Sequence, residues 1–256
     1  MSNLGVWLNS RFQRKGIVED LDRAIYVTQQ AVEVTPNNDP HLAHRLSNLG
    51  NQLNTRFEYT GSLNDLERSI KVAKEAITIT PKHHSDLSGC LRNLGLCLGA
   101  RFNRTGSFED LERAVEATEQ ALKVTLKDHL DLSETLNNLA ILLGTRFIEK
   151  GSTNDRERAL EVIQQAAMAT PNDHPDLAGR LNHLGVWFGS RFDRTGSLGD
   201  LEKALEFTQQ AVKATPKDHP KLAARLSNLG AWLGRRFEHI GPMHDLERAI
   251  DASQNI

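Results

Sequence analysis

Two columns of side chains in this chain have types and spacing suited to chemistry. Asn3, Asn48, Asn93, Asn138, His183 and Asn228 stand 45 residues apart. An amide both donates and accepts hydrogen bonds, so this column can hold a ligand or brace a neighbouring helix. Arginine followed by phenylalanine recurs at Arg11, Arg56, Arg101, Arg146, Arg191 and Arg236 with the same step. Each arginine faces a repeat that supplies an aspartate and a glutamate, which predicts a ladder of ion pairs acting as structural glue. His84, His129, His174 and His219 form a third column. Stacked helices lie roughly 8–10 Å apart, too far for successive imidazoles to share one zinc at about 2 Å each. They read as exposed loop residues, and no metal is expected, nor from Cys90 and Cys97. Every repeat carries Asp and Glu near Asp-Leu-Glu, whereas a catalytic carboxylate pair would be singular. With no phosphate-cradling glycine loop and no nucleophile beside a unique partner, neither an enzyme nor a cofactor is expected.

The elements that position these residues follow from the period. The turn glycine returns at Gly16, Gly61, Gly106, Gly151, Gly196 and Gly241 without insertion or deletion. A fixed period of this length means a solenoid, in which each repeat stacks on its neighbours. From Pro40 to Phe57, Leu42, Leu46, Leu49, Leu53 and Phe57 fall at steps of four, three, four and four, one stripe of an α-helix. This helix A should end at the Thr-Gly pair, where glycine takes the left-handed conformation. Ser62 with Asp65, and the pairs at Ser107, Ser152 and Ser197, have the spacing of a capping box. They open a helix B over about 63–79, with Leu66, Ile70, Ala73, Ala76 and Ile77 inward. Thr80-Pro81 ends it, because the residue before proline leaves helical geometry. No strand pattern is visible. The fold expected is all-α: one solenoid over 1–256, with antiparallel helix pairs at about 1–39, 40–84, 85–129, 130–174, 175–219 and 220–256.

Repeat four is irregular. Leu126 replaces the helix-ending proline before it, and Arg156 occupies a leucine column as a snorkelling stem or a local gap. Both chain ends cut through a helix, which suggests an excerpt of a longer array, ends that pair with other copies, or an incomplete gene model. The net charge of −2, from 31 basic and 33 acidic residues, offers no basic stripe to nucleic acid. No run approaches a membrane span and Met1-Ser2-Asn3-Leu4 is no signal peptide. Together with two framework-free cysteines, this leads to the expectation of a soluble cytoplasmic protein.

The residues carry a resemblance. Leu46-x-x-Leu49-Gly50 and the spacing of Ala24, Thr28, Ala31 and Pro36 resemble the tetratricopeptide repeat (TPR). Leu46 stands where that family usually has tryptophan, and Thr28, Ala73, Thr118 and Thr208 are small where it prefers an aromatic. Leu136-Asn137-Asn138-Leu139-Ala140 and Asp173-His174-Pro175-Asp176-Leu177-Ala178 are similar to kinesin light chain repeats. The added R-F-x-x-T-G-S-x-x-D-L-E segment looks like arrays in large fungal proteins that also carry a CHAT or nucleotide-binding switch domain.

The resemblance implies a right-handed superhelix whose A helices line a concave groove, where the asparagine column grips an extended peptide's backbone. Neighbouring groove columns are then Ser47, Arg92, Asn137, Asn182 and Ser227, and Val6, Asn51, Leu96, Ile141, Val186 and Ala231. The family's carboxylate-clamping type uses lysine or arginine here, and only Arg92 is basic, which argues against that activity. Gly99, Gly144, Gly189 and Gly234 are expected to allow close helix contact. The function expected is a scaffold that binds a protein or peptide in the groove, within a larger intracellular regulator. The alternative is a structural spacer or self-association arm with an empty groove.

Overall fold

The computed structural model describes residues 2–82, 84, 86–125 and 131–254. They form two compact units, Met1–Gly151 and Ser152–Ile256. The first contains α1 (Ser2–Lys15), α2 (Val18–Glu33), α3 (Leu42–Thr60), α4 (Leu63–Ile79), α5 (Asp86–Thr105), α6 (Phe108–Val124) and α7 (Leu132–Lys150). The second contains α8 (Thr153–Met168), α9 (Leu177–Thr195), α10 (Leu198–Lys213), α11 (Leu222–Ile240) and α12 (Met243–Gln254). The described residues include no strand. No helix among them is long and apolar enough to cross a membrane.

Each helix pair closes through the Thr-Gly-Ser turn. Gly61 has φ +73°, and its amide donates to the Phe57 carbonyl at 2.7 Å. A side chain there would be strained, which is why glycine returns every 45 residues. The Thr60 hydroxyl donates to the Arg56 carbonyl at 2.7 Å and accepts from the Ser62 amide at 3.2 Å. This differs from the capping box that the spacing suggests. Ser62 and Ser152 accept long bonds from the Asp65 and Asp155 amides, at 3.4 and 3.3 Å, while Ser107 and Ser197 make no such bond. The Ser62 amide that Asp65 would take in a capping box donates to Thr60, and the Asp65 carboxylate accepts from Arg56. Thr60 does the capping in its place.

Helix A also starts later than expected, at Leu42 rather than Pro40. The Asp39 carboxylate accepts from the His41 amide at 2.7 Å, and the Leu42 amide donates to the Asp39 carbonyl at 3.0 Å. Proline is thereby held in the turn before the first helical residue.

Among the described residues the buried side chains gather in several clusters. Phe12 of α1, Leu21 and Ile25 of α2, and Leu49 and Leu53 of α3 make one buried cluster, so one repeat is completed by the next A helix. Phe192, Leu201, Leu205, Leu229 and Leu233 repeat that arrangement in the second unit. Close approach within a pair comes from small residues. A Cβ on Gly95 would lie 2.2 Å from the Thr118 hydroxyl, and one on Gly185 as near to Thr208. Threonine fills this site where an aromatic would collide, and the Thr118 and Thr208 hydroxyls donate within their own helices, to the Ala114 and Ala204 carbonyls at 2.8 and 2.7 Å.

Within the first unit α1, α3, α5 and α7 pack against one another in succession, and so do α9 and α11 in the second. Of the B helices, α2, α4 and α6 in the first unit and α10 in the second touch the A helix before and the A helix after them. The A layer is therefore the closely spaced one, and its outward columns form the inner face of each unit.

The inner helix face as candidate functional site

Arg56 forms two bonds to Asp65, at 2.8 and 2.7 Å, and a third to Asp22 of the preceding repeat at 2.8 Å. Arg101 joins Asp110 and Glu67 in the same way, Arg191 joins Asp200 and Glu157, and Arg236 joins Asp245 and Glu202. One guanidinium thus ties a helix pair internally and to its neighbour. The forked bonds are charge-assisted, and the aspartates are almost fully buried. Hydrogen bonds from Arg191 hold the Asp200 carboxyl below the usual carboxylate range despite burial, and those from Arg236 do the same for Asp245. For Asp65 burial is the largest influence and opposes ionisation, but the bonds from Arg56 outweigh it. The ladder is glue, as its spacing suggests. Arg156 does not snorkel: its side chain is buried, head group included, and its guanidinium meets Glu157 at 2.6 Å.

Histidines have a local task. The Nδ1 atoms of His84, His174 and His219 accept from the amides of Asp86, Asp176 and Lys221 at 3.2, 3.2 and 3.1 Å. They cap the start of helix A, as Asp39 does one repeat earlier. His129 and Leu126 lie outside the described residues.

One bracing column went unnoticed in the sequence. Arg45, Arg180 and Arg225 donate to the hydroxyls of Thr35, Thr170 and Thr215 at the end of the preceding B helix. Arg225 is buried with its positive charge at that helix's carbonyl end, where the backbone dipole favours a cation. Burial still lowers its pKa. Recurrence of Arg and Thr at a fixed offset of ten residues was the available signal.

The asparagine column divides. Asn93 is buried and donates to the Ser47 hydroxyl at 2.9 Å, and Asn228 donates to the Asn182 carbonyl oxygen at 3.1 Å. In both, the amide braces successive A helices. Asn138 cannot copy this, because the equivalent preceding residue is Arg92, which only donates. Its Nδ2 is buried without a partner, as are Asn137 Oδ1 and Arg92 Nε. Arg92 turns to Glu134 at 2.5 Å and Asp131 at 3.6 Å on the next helix. Asn48 is half-buried, and Asn3 and Asn51 are exposed. His183 is exposed at its edge, yet crowding by the protein, then the Lys221 and Arg225 charges, hold its imidazole below the ordinary range.

Two cavities open on the inner face of the first unit. One, of about 230 Å³, is lined by Ser47, Asn48, Asn51, Asp86, Arg92 and Asn93 among others. The second, of about 200 Å³, is mostly apolar and bounded by Leu96, Gly99, Asn138, Ile141 and Leu142, with Glu58 beside them. Gly99 is tightly packed, since a Cβ would lie 2.9 Å from Leu142, and one on Gly189 would lie 2.3 Å from the Trp232 ring. Gly234 has open space around it. The structure therefore places Asn48, Asn51, Arg92 and Asn93 at one cavity and Asn138 at the other, while Asn182 and Asn228 pair with each other.

Residues 42–79, 87–131 and 177–221, half of the chain, match the family described as tetratricopeptide repeat. The irregular fourth repeat is not matched. No curated protein sequence matches the chain significantly. Among crystal structures, BtubC from P. vanneervenii superposes with a TM-score of 0.64 at 20% identity, covering 91% of each chain. YrrB, described as a TPR protein with an unusual peptide-binding site, gives 0.58 at 17% identity, over 89% of this chain and 92% of its own. A kinesin-light-chain-type protein of Podospora anserina with nearly identical TPR-like repeats gives 0.59 at 15% identity, over 84% and 96%. At these identities the likeness is one of fold.

Proposed function

Because this chain belongs to the tetratricopeptide-repeat family, we propose that it is a protein–protein interaction scaffold that takes an extended segment of a partner on the inner face of its A helices. The observation that carries this reading is the contrast in polar bonding. Ladder arginines, turn threonines and histidine caps have internal partners. Asn137 and Asn138 bury amide atoms that have none. Buried polar atoms left unpaired are costly, and a ligand that engages them recovers that cost. An extended peptide offers a carbonyl and an N–H at each step, which suits a donor and an acceptor side by side. A larger intracellular, cytoplasmic regulatory protein is the setting we propose for the array.

The test is a random peptide display screen on the immobilised protein, repeated with Asn138→Ala. The groove reading expects an enriched peptide family whose binding falls with Asn138→Ala while the melting temperature holds. No enrichment, with a solution mass that grows with concentration, would replace it by the spacer or self-association reading.

A further inference from the structure

The charge of the inner face differs between the units, and this bears on what the groove accepts. On α3, α5, α7 and the residues leading into them, that face carries the carboxylates Glu58, Asp86, Asp131 and Glu134 against one guanidinium, Arg92, with His44 and His84 each 3.8 Å from Asp86. Arg92 is already engaged by Glu134 and Asp131. The corresponding face of α9 and α11 is nearly balanced: Asp176, Asp193 and Glu238 stand against Lys221 and Arg235. Arg235 and Asp193 approach to 3.6 Å.

The negative excess in the first unit lies on both sides of the apolar cavity. Glu58 lines that cavity with Leu96, Ile141 and Leu142, and Asp86 and Asp131 line the polar one. The apolar cavity, about 200 Å³, is smaller than the roughly 300–1,000 Å³ that encloses a whole small molecule. Its volume suits one branched aliphatic side chain. Glu58 shares its register with Asn103, which lies seventeen residues beyond Asp86 on α5, or about 26 Å along the helix. An extended segment of about eight residues spans that distance. Neither Asn138 Nδ2 nor Asn137 Oδ1 holds an internal bond, so turning either amide toward a ligand breaks nothing. The same movement at Asn93 would break its bond to Ser47.

We infer that the face formed by α3, α5 and α7 binds an extended, positively charged peptide segment, with one aliphatic side chain in the cavity and lysine or arginine on either side of it. The inference rests on the groove reading above and adds the partner's chemistry. It runs opposite to a carboxylate clamp, since an acidic segment would meet a face on which carboxylates outnumber guanidinium groups.

The probes are three fluorescent octapeptides: one with central leucine among alternating lysines and glycines, its glutamate counterpart, and the lysine peptide with glycine for leucine. Anisotropy titration should show the lysine–leucine peptide binding at least about tenfold more tightly than either of the others, and weakening as salt screens the carboxylates. Glu58→Gln with Asp86→Asn, neither of them in the ladder or the core, should reduce its affinity by about tenfold without moving the melting temperature. Tighter binding of the glutamate peptide overturns the inference but leaves the groove reading standing. So does lysine-peptide binding that the double substitution leaves unchanged, because the segment then sits elsewhere. Equal binding of the leucine and glycine peptides overturns the aliphatic anchor. If no octapeptide binds and the display screen is also empty, both readings fall.

Discussion

The turn edge and the inner face use the same residue types to different ends. At the turn edge Arg101 meets Asp110 and Glu67, and Arg191, Arg236 and Arg56 meet their own equivalents at nearly the same distances. On the inner face the residue at one position is Ser47, Arg92, Asn137, Asn182 or Ser227, and its bonds vary: Ser47 and Asn182 accept from the next asparagine, Arg92 pairs with Glu134, and Asn137 Oδ1 has no partner. A contact that stacks one repeat on the next must be the same at every junction. A surface that no repeat covers is free to differ. Identity along the period therefore marks glue, and departure from it marks the face that can discriminate.

The largest test of this contrast compares two arginines on α5. Arg101→Met leaves the buried Asp110 without its partner and should cost about 3 kcal/mol, seen as a lower denaturant midpoint. Arg92→Met removes bonds to partly exposed Asp131 and Glu134 only, and should cost about 1 kcal/mol or less. Equal losses would erase the distinction. Acid separates the two further. Asp200 and Asp245 have depressed pKa values, so their contribution is full above the ordinary carboxylate pKa and fades as pH falls through the depressed one. Arg191→Met should flatten that acid loss.

A smaller effect contrasts two glycines of one column. Gly189→Ala places a methyl in the Trp232 ring and should destabilise by about 2 kcal/mol. Gly234→Ala meets nothing and should stabilise by about 0.5–1 kcal/mol through helix propensity. Thermal melts of the two should move in opposite directions. Least of all, Asn93→Ala should cost about 1 kcal/mol by losing the Ser47 bond, whereas Asn138→Ala should leave stability unchanged or slightly raised. A matching loss at Asn138 would mean that its amide is another brace, and the inner face would lose its special status.

Much of the fold was legible from spacing. The Leu42-to-Phe57 stripe, the turn glycine, the helix-ending proline and the Arg–Asp ladder each involve residues on one helix or in adjacent helices of a strict repeat. The site was legible only as columns. Asn93, Asn138 and Asn228 are alike in sequence, yet two are braces and one is unpaired, because each answers to the residue 46 positions earlier on a different helix. The capping serines were half legible: Ser62 and Ser152 accept from the amides three residues on, but the Ser62 amide goes to Thr60, and the Asp65 carboxylate takes the forked, charged bond from Arg56.

The sequence by itself determined the repeat, its helix pairs and the glue between them, since a solenoid's stability is a sum of near-neighbour contacts written identically in each copy. Only the tertiary structure decided which polar atoms remain without partners and where the inner face gathers its carboxylates. Those properties depend on distances between side chains of successive A helices, and no periodicity along the chain contains them.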